Sequence, residues 1–405
     1  MDQASLFAAA LGLTPPWQVV DVSFSTQEKR LDIIIDFPPG SSFACPVCGA
    51  LAGAYDTKEE SWRHLNFFQY AAYLRARVPR VQCPEGCGIK KVSAPWTRPG
   101  SGFTLLFEAL VMTLAREMPV AAIASLFGEH DTRIWRVIQH YVEATRATLD
   151  FSGVSSLSID ETASRRGHNY ISLFFNPDEK RLLFATEGRD AETVKAFTDD
   201  LTAHDGEPEK ITSACIDMSP AFIKGVQESL SNAHITFDRF HLMKLLNEAV
   251  DEVRRSEAKS HQDLLKKTRY VWLKNPCKLS TNQKQTLACL SSLNLKTARA
   301  YQIRLNFQEF YSQVNRSAGE LFLKCWYFWA THSRLEPIKK VAKTIKEHWN
   351  GILNWFDSRL TTGFLEGINS LIQAAKARAR GYRSTRNLIN MAYLIAGKLN
   401  FKLPT

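Results

Sequence analysis

Three acidic residues of a kind that hard divalent cations favour lie far apart in this 405-residue chain. Asp160 ends Ser156-Leu-Ser-Ile-Asp160, Asp217 ends Thr212-Ser-Ala-Cys-Ile-Asp217, and Glu366 lies in Gly363-Phe-Leu-Glu-Gly-Ile-Asn369. The first two close short apolar strands and the third opens an amphipathic helix, which lets a fold aim remote carboxylates at one pair of ions. Two Mg2+ (or Mn2+) ions about 3.5–4 Å apart activate an oxygen nucleophile, stabilise a leaving oxygen and neutralise charge at phosphorus. In that arrangement Asp160 bridges both ions, Asp217 binds one and Glu366 the other, with water and substrate phosphate completing the octahedra. The expected chemistry is metal-assisted attack on a phosphodiester. Any one of the 41 acids is more often a surface or capping group, so the triple arrangement carries the reading.

The elements that would position these acids follow from the hydrophobic pattern. From Ser152 strands are expected at 155–159, 170–175, 181–186, 210–216 and 234–237, and helices at 191–203 and 220–231. Three strands in series, then helix, strand, helix and strand, is the order of a ribonuclease H-like α/β core. Residues 240–350 are rich in long helical patterns and carry Trp272, Trp326, Trp329 and Trp349, which reads as an all-helical insertion. Trp272, Trp326 and Trp329 are expected to pack in its core rather than stack on DNA bases. On the helix that follows, Glu366, Asn369, Gln373, Lys376 and Arg380 form one polar stripe, opposite Phe364, Leu365, Ile368, Leu371, Ile372 and Ala375. The stripe is expected to face DNA, with Lys376, Arg380 and Arg383 on phosphates.

Upstream, Cys45-Pro-Val-Cys48-Gly49 and Cys83-Pro-Glu-Gly-Cys87-Gly88 are paired-cysteine knuckles of a zinc ribbon, four soft ligands for one structural Zn2+. Strands at 19–24 and 31–37 precede them. Arg63, Arg75, Arg77, Arg80, Lys90, Lys91 and Arg98, interleaved with Trp62, Phe67, Phe68, Tyr70, Tyr73 and Trp96, suit either a nucleic-acid backbone or a solvated strand face. Cys215, Cys277, Cys289 and Cys325 are expected to be buried free thiols. A linker at 95–102 leads to three helices broken at Pro119 and at Gly128-Glu-His-Asp131. The last two form a helix-turn-helix pattern, in which Ile134, Val137, Ile138 and Tyr141 are core while Thr132, Arg133, Arg136 and Gln139 are free for a major groove. A plain three-helix bundle is the alternative.

The formal charge is +10, and residues 371–405 hold seven basic side chains and no acid, which points to a polyanion partner. The first residues lack a basic segment followed by a long apolar one, and there is no long uncharged apolar run, so a cytoplasmic protein with no membrane association is expected. The parts assemble into a multidomain α+β reading: 1–98, strands and zinc ribbon; 99–150, helix-turn-helix; 151–240, first part of the ribonuclease H-like core; 241–355, helical insertion; 356–405, C-terminal helices with the third acid.

Several segments closely resemble the ISL-three family of bacterial insertion-sequence transposases. They are Ile159-Asp-Glu161, Glu187-Gly-Arg-Asp-Ala-Glu-Thr193, Ile216-Asp-Met-Ser-Pro-Ala-Phe222, Phe237-Asp-Arg-Phe-His241 with Lys244-Leu-Leu-Asn-Glu-Ala249, and Leu365-Glu-Gly-Ile-Asn369 with Ala379-Arg-Gly-Tyr-Arg383. The resemblance implies that Asp160, Asp217 and Glu366 are a DDE triad that cuts double-stranded DNA at transposon ends and joins the 3′ hydroxyl to target DNA. It implies action at the bacterial nucleoid, and favours a homodimer, because two ends are processed together. Asp238-Arg-Phe-His241 resembles a D-x-x-H signature of several DDE groups, in which His241 would orient a phosphate or a carboxylate. A DNA-binding regulator with a retained fold, or a nuclease without strand transfer, are the rival readings.

Overall fold

Alternation of apolar and polar residues at period two builds the sheet of the N-terminal unit. In the computed structural model, which describes residues 3–165, 167 and 169–403, the chain divides into two units, one covering residues up to 145 together with 400–403 and the other 146–399. After helix α1 (Gln3–Ala10) come strands β1 (Gln18–Ser25), β2 (Arg30–Asp36), β3 (Ser42–Ala44), β4 (Leu51–Arg63), β5 (Ala71–Cys83) and β6 (Gly88–Lys91). The sheet order is β1-β2-β5-β4-β3, with β6 also on β5. Leu31, Ile33 and Ile35 of β2 and Ala72, Leu74, Ala76 and Val78 of β5 point into a core closed by Trp17, Trp62 and Trp96. On the outer face Arg75 pairs with Asp32 at 2.7 Å, Arg77 with Asp36 at 2.8 Å, Arg80 with Asp56, and Lys91 with Glu60 at 2.6 Å. Of the two sequence readings of this basic cluster, these four pairs support the strand face for Arg75, Arg77, Arg80 and Lys91.

Helices α2 (Leu105–Ala115), α3 (Val120–Phe127) and α4 (Asp131–Arg146) follow. Thr104 caps α2, and α3 stops at Gly128, whose φ of 66° is the left-handed conformation that lets the chain turn sharply into α4. Ile134, Val137, Ile138 and Tyr141 are buried, as their periodicity predicts. Glu108, fully buried, accepts bonds from Arg98 Nε (2.9 Å), Ser101 Oγ (2.6 Å) and Tyr141 OH (3.2 Å), so the linker and α4 are both tied to α2 through one carboxylate.

The second unit opens with β7 (Ser156–Ala163), β8 (Tyr170–Asn176), β9 (Arg181–Glu187), α5 (Ala191–Ala203), β10 (Ser213–Ile216), α6 (Pro220–Ser229) and β11 (His234–Phe237). The strand order is β11-β10-β7-β8-β9; β7, β8 and β9 are antiparallel neighbours, while β10 runs parallel to both β7 and β11. One sheet face, with Leu157, Ile159, Ala214 and Ile216, joins Val194, Phe197, Phe222 and Val226 of α5 and α6 in the core. Strand β7 runs three residues past Asp160, so that acid lies within the strand and not at its end as the sequence pattern suggests. Pairing with β8 explains this, since the antiparallel ladder reaches Ala163 opposite Tyr170 whatever the polarity of the side chains.

Helix α7 (Arg239–Glu257) starts a helical stretch that continues through α8 (Gln262–Leu265), α9 (Arg269–Leu273), α10 (Thr281–Ser291), α11 (Lys296–Gln308), α12 (Arg316–Thr331), α13 (Glu336–Glu347), α14 (Trp349–Leu353) and α15 (Trp355–Ser358). Trp272 and Trp326 are core, their indole N–H groups donating to Thr268 Oγ1 (3.3 Å) and the Ile303 carbonyl (2.9 Å), whereas Trp329 is 39% exposed. Cys215 is buried, but Cys277, Cys289 and Cys325 are exposed, contrary to expectation. They sit on outward faces of amphipathic helices and a short turn, where local apolar neighbours in sequence do not ensure burial. Helices α16 (Gly363–Arg378) and α17 (Thr385–Ala396) end the unit, and the Tyr393 hydroxyl accepts the Ala185 N–H of edge strand β9 at 3.0 Å. No helix among the described residues is long and apolar enough to cross a membrane.

Close approach of α14 to β11 depends on Gly351, where an added Cβ would fall 2.4 Å from a ring carbon of Phe237. Gly351→Ala should therefore lower unfolding free energy by about 1–3 kcal/mol. Urea titration checks this, and in it Gly367→Ala, at a helical position with nothing within 4 Å, should be neutral or stabilising.

Candidate active site and zinc centre

Parallel pairing sets three aspartates at one level. Ser158 of β7, Cys215 of β10 and Thr236 of β11 are in register, and Asp160, Asp217 and Asp238 each follow two residues later. Side chains two residues apart share a face, so the aspartates continue a column whose inner members, Ser158, Cys215 and Thr236, are fully buried. These are the C-terminal ends of β10 and β11, where open α/β sheets commonly place ligands. Asp160 Oδ1 accepts its neighbour Glu161's N–H at 2.8 Å, and Asp217 Oδ1 accepts the Ser219 N–H at 2.9 Å. Burial pushes the Asp160 carboxyl up to about 6, against the pull of the Glu161 amide, and the Asp238 and Asp217 charges act in the same direction as burial. Glu161 turns toward Arg189, 3.6 Å away.

Helix α16 lies along β7. Asn369 Nδ2 donates to Asp160 Oδ2 at 2.6 Å, Gln373 Nε2 to Thr162 Oγ1 at 2.8 Å and to the Ala163 carbonyl at 3.0 Å, and Lys376 Nζ to that carbonyl at 2.6 Å. The polar stripe expected to face DNA is thus laid against the strand that carries Asp160 over Asn369, Gln373 and Lys376. Leu371, assigned to the apolar face, is 58% exposed. The reason is that β7 offers polar atoms here, Asp160, Thr162 and a free carbonyl, so the helix side that matches them is its carboxamide side. Glu366, one turn before Asn369, stands exposed at the start of α16. Partial burial raises its pKa, as does the Asp238 charge, while His241 opposes them. Asn369 was not singled out as a site residue from sequence; its place three residues after Glu366 was the available signal.

Asp238 and His241 knit the ends together. His241 Nδ1 is 3.1 Å from Asp238 Oδ2, and the other oxygen of this fully buried carboxylate accepts the Thr362 N–H, just before α16, at 3.3 Å. Burial works against the Asp238 charge, but the bonds from His241 and Thr362 outweigh it and hold its pKa below the ordinary value. Burial likewise opposes protonation of His241, yet the Asp238 bond, followed by the Asp238, Asp160 and Asp217 charges, raises its pKa overall. His241 therefore feels the acids of both strands, and Glu366 feels His241.

Among the described residues, the histidine, cysteine and acidic ligand atoms that come within 4.8 Å of one another as a group of three or more are the sulfurs of Cys45, Cys48, Cys83 and Cys87. The carboxylates of Asp160, Asp217 and Glu366 make no such close group: Asp160 and Asp217 each accept protein N–H groups, and Glu366 is exposed. Cys48 and Cys83 sulfurs are 3.3 Å apart. A tetrahedral zinc with bonds of about 2.3 Å needs sulfur separations of roughly 3.8 Å, so the four sulfurs fit one ion with small adjustments. Turns at Gly49 and Gly86, both at φ 79°, fold each knuckle back on itself. The Cys87 amide pulls the Cys83 thiol down to about 7, while sharing hydrogens with Cys48 and Cys83 pushes Cys87 up to about 12. A thiolate that forms here disfavours the next one, a conflict that a bound cation removes.

The helix-turn-helix residues divide. Arg133 bonds Glu129, approaches the Gly102 carbonyl at 3.4 Å and lies 4.3 Å over the Phe103 ring, so it is engaged within its own unit and not free as expected. Gln139 donates to Glu143 at 3.2 Å, whereas Thr132 and Arg136 are exposed. Arg133 is held because Glu129, in the turn, lies one helical turn before it. Arg380 and Arg383 are exposed after α16, the Arg383 carbonyl accepting from Arg165.

Zinc binding gives a direct test of the cysteine cluster. Purified protein should hold about one zinc per chain, and Cys48→Ser should cut that content severalfold and lower the melting temperature, as read by metal analysis and calorimetry.

Comparison with known proteins places these parts in one lineage. Residues 157–392 match a family described as "Transposase", of the ISL3 DDE type. Residues 92–142 match "Helix-turn-helix domain of transposase family ISL3", and 41–87 match "zinc-finger of transposase IS204/IS1001/IS1096/IS1165". The transposase for insertion sequence element IS1557 of Mycobacterium tuberculosis is 27% identical, over 97% of this chain and 96% of its own length. The transposase for insertion sequence element IS1001 of Bordetella parapertussis is 27% identical over 85% of this chain and 87% of its own. The matched segments carry the zinc knuckles, the two-helix turn and the strands and helix that hold the acids, and so the chain belongs to the ISL3 family of insertion-sequence transposases, DNA-binding enzymes with a zinc ribbon, a helix-turn-helix and a DDE domain.

Proposed function

We propose that Asp160, Asp217 and Glu366 are the catalytic carboxylates, and that they hold Mg2+ while the protein cuts the ends of its element and joins them to target DNA. The observation that carries this is the bond from Asn369 to Asp160, which brings the helix of the third acid against the strand of the first across more than 200 residues of chain. The β11-β10-β7-β8-β9 order, with only the last three strands in antiparallel series, supports a ribonuclease H-like core, and the helices between β11 and α16 support reading them as an insertion into it. The domain division 1–98, 99–150, 151–240, 241–355 and 356–405 follows from the same reading, with a homodimer as the assembly in which two ends meet.

The donor set suits a hard cation. Asp160 is a half-buried carboxylate with a raised pKa, and Asn369 Oδ1 is a buried oxygen with no partner among the described residues. Mg2+ bound here would activate the attacking oxygen and neutralise charge at the scissile phosphate. The protein's own part is geometric. Asn369 acts as a positioning residue, occupying one lone pair of Asp160 Oδ2 while the Glu161 amide occupies one of Oδ1, which fixes the carboxylate plane and leaves the remaining lone pairs outward. Asp238 holds the start of α16 through Thr362 and orients His241, whose position favours a contact with a phosphate or with a carboxylate of the triad. Arg136, Arg380 and Arg383 are the exposed cations proposed to meet DNA, with Gln139 beside them; Arg133 and Lys376 would have to leave their present partners to do so.

Asp217→Asn should abolish Mg2+-dependent cleavage and joining of paired end oligonucleotides while DNA binding is kept. Cleavage by the variant at the parent rate would refute the assignment. Asn369→Ala should slow cleavage about 10-fold or more with binding unchanged.

The raised Asp160 pKa has a stability consequence of definite sign. A carboxyl whose folded pKa lies above its unfolded value contributes stability below the unfolded value and loses it as pH rises through about 6. In metal-free protein at pH 7.5, Asp160→Asn should therefore be more stable than the parent by ~1–3 kcal/mol. Added Mg2+ should raise the parent's melting temperature at pH 7.5, much less at pH 5, and not at all in the variant.

A further inference from the structure

We propose that a basic pocket opening beside Glu366 seats a backbone phosphate of the DNA strand that enters the active site. The proposal rests on the triad reading for its occupant, but its test is independent of catalysis. The cavity, about 490 Å³, lies between α7, α11 and the segment 273–278, with Glu366 and Gly363 at its rim. Four of its lining residues are cations, Arg239, Lys274, Lys278 and Arg304, and Glu366 is its sole acid.

The decisive group is Arg304, 3% exposed. Its Nε donates to Asn247 Oδ1 at 3.0 Å, one terminal nitrogen to Asn275 Oδ1 at 2.9 Å and the other to Gln308 Oε1 at 3.4 Å. All three acceptors are neutral carboxamides. They hold the guanidinium in place through three of its five hydrogens without cancelling its charge, and a buried charge left uncompensated is unfavourable.

The neighbouring cavity shows the ordinary solution. One turn further along α7, Asp251 stands where Asn247 stands in this pocket, and it gathers Arg254 at 2.8 Å, Arg255 at 3.6 Å and Arg269 at 3.5 Å. The two cavities share Phe240, Met243, Asn247 and Leu273, so the contrast is between adjoining sites on one helix. Where one has its anion built in, the other presents a fixed guanidinium with two exposed lysines at its mouth and takes its anion from outside. Planar guanidinium with flanking ammonium groups is phosphate-binding chemistry. Because Glu366 lies at the rim, a strand whose scissile phosphate is at the triad would carry an adjacent phosphate to this pocket.

The test uses full-length protein and a fluorescein-labelled duplex bearing an end of the element, with binding read by anisotropy between about 50 and about 200 mM KCl. Lys274→Gln with Lys278→Gln, both at exposed positions, should weaken binding about 10-fold and reduce the log–log salt slope by about 2. Arg304→Met should weaken binding severalfold without lowering the melting temperature. Inorganic phosphate, compared with KCl at equal ionic strength, should compete only weakly, since a single ion lacks the rest of the strand. Affinity and slope unchanged in the lysine variant would overturn the proposal, as would an Arg304→Met protein that melts earlier yet binds DNA normally, the mark of a structural staple. Tight phosphate binding with DNA affinity indifferent to all three substitutions would also overturn it. A parent protein that binds through these residues but never cuts would instead sink the triad reading and leave the pocket standing.

Discussion

The contact between α16 and β7 is the constraint on which the site depends. A carboxylate on a helix is useful to two carboxylates on strands only if helix and sheet are fixed to within a fraction of an ångström. Here the fixing is polar, not apolar: Asn369, Gln373 and Lys376 successively engage Asp160, Thr162 and the Ala163 carbonyl, at the 3.6-residue period of the helix and the two-residue period of the strand. Apolar packing tolerates sliding, whereas a series of directional bonds admits one register. One of these bonds is made by Asp160 itself, so shifting the helix would also turn that carboxylate.

Electrostatic tension accompanies this geometry. Parallel pairing of β7, β10 and β11 places three aspartates at one level, and burial, reinforced by these like charges, raises the Asp160 pKa. Asp238 escapes the same fate because His241 and the Thr362 amide serve it, and it ties α16 to the end of β11. The fold thus uses Asp238 as an anchor between β11 and α16, although Asp160 and Asp217 occupy equivalent positions in the sheet.

Charge is distributed with similar economy elsewhere. A net +10 suggests a uniformly basic surface, yet in the ribbon sheet the arginines are matched with cross-strand acids, and in the helix-turn-helix Arg133 is matched with Glu129. Arg136 on α4 and Arg380 after α16 are exposed, and in the pocket around Arg304 the guanidinium meets neutral carboxamides. A cation whose counter-charge is not supplied within the protein is the kind that can attract an external anion.

Much of the architecture was legible from local patterns, because those patterns are local in cause. The paired cysteines of a ribbon are set by turn geometry within five residues, the helices of 105–146 by apolar periodicity and a glycine stop, and the acids by the short strands before them. The direction of the α16 stripe was not legible. A polar stripe on a helix satisfies water, DNA or a strand equally well, and only the sheet, through the exposed polar atoms of β7, decides among them. The same holds for Arg133, for the three cysteines that proved exposed, and for Arg304, whose surroundings come from α7, α11 and an intervening turn. Sequence determined which side chains exist and which elements they ride on; tertiary structure alone decided which faces meet, because partner choice between remote segments is settled by competition among contacts that no local period encodes.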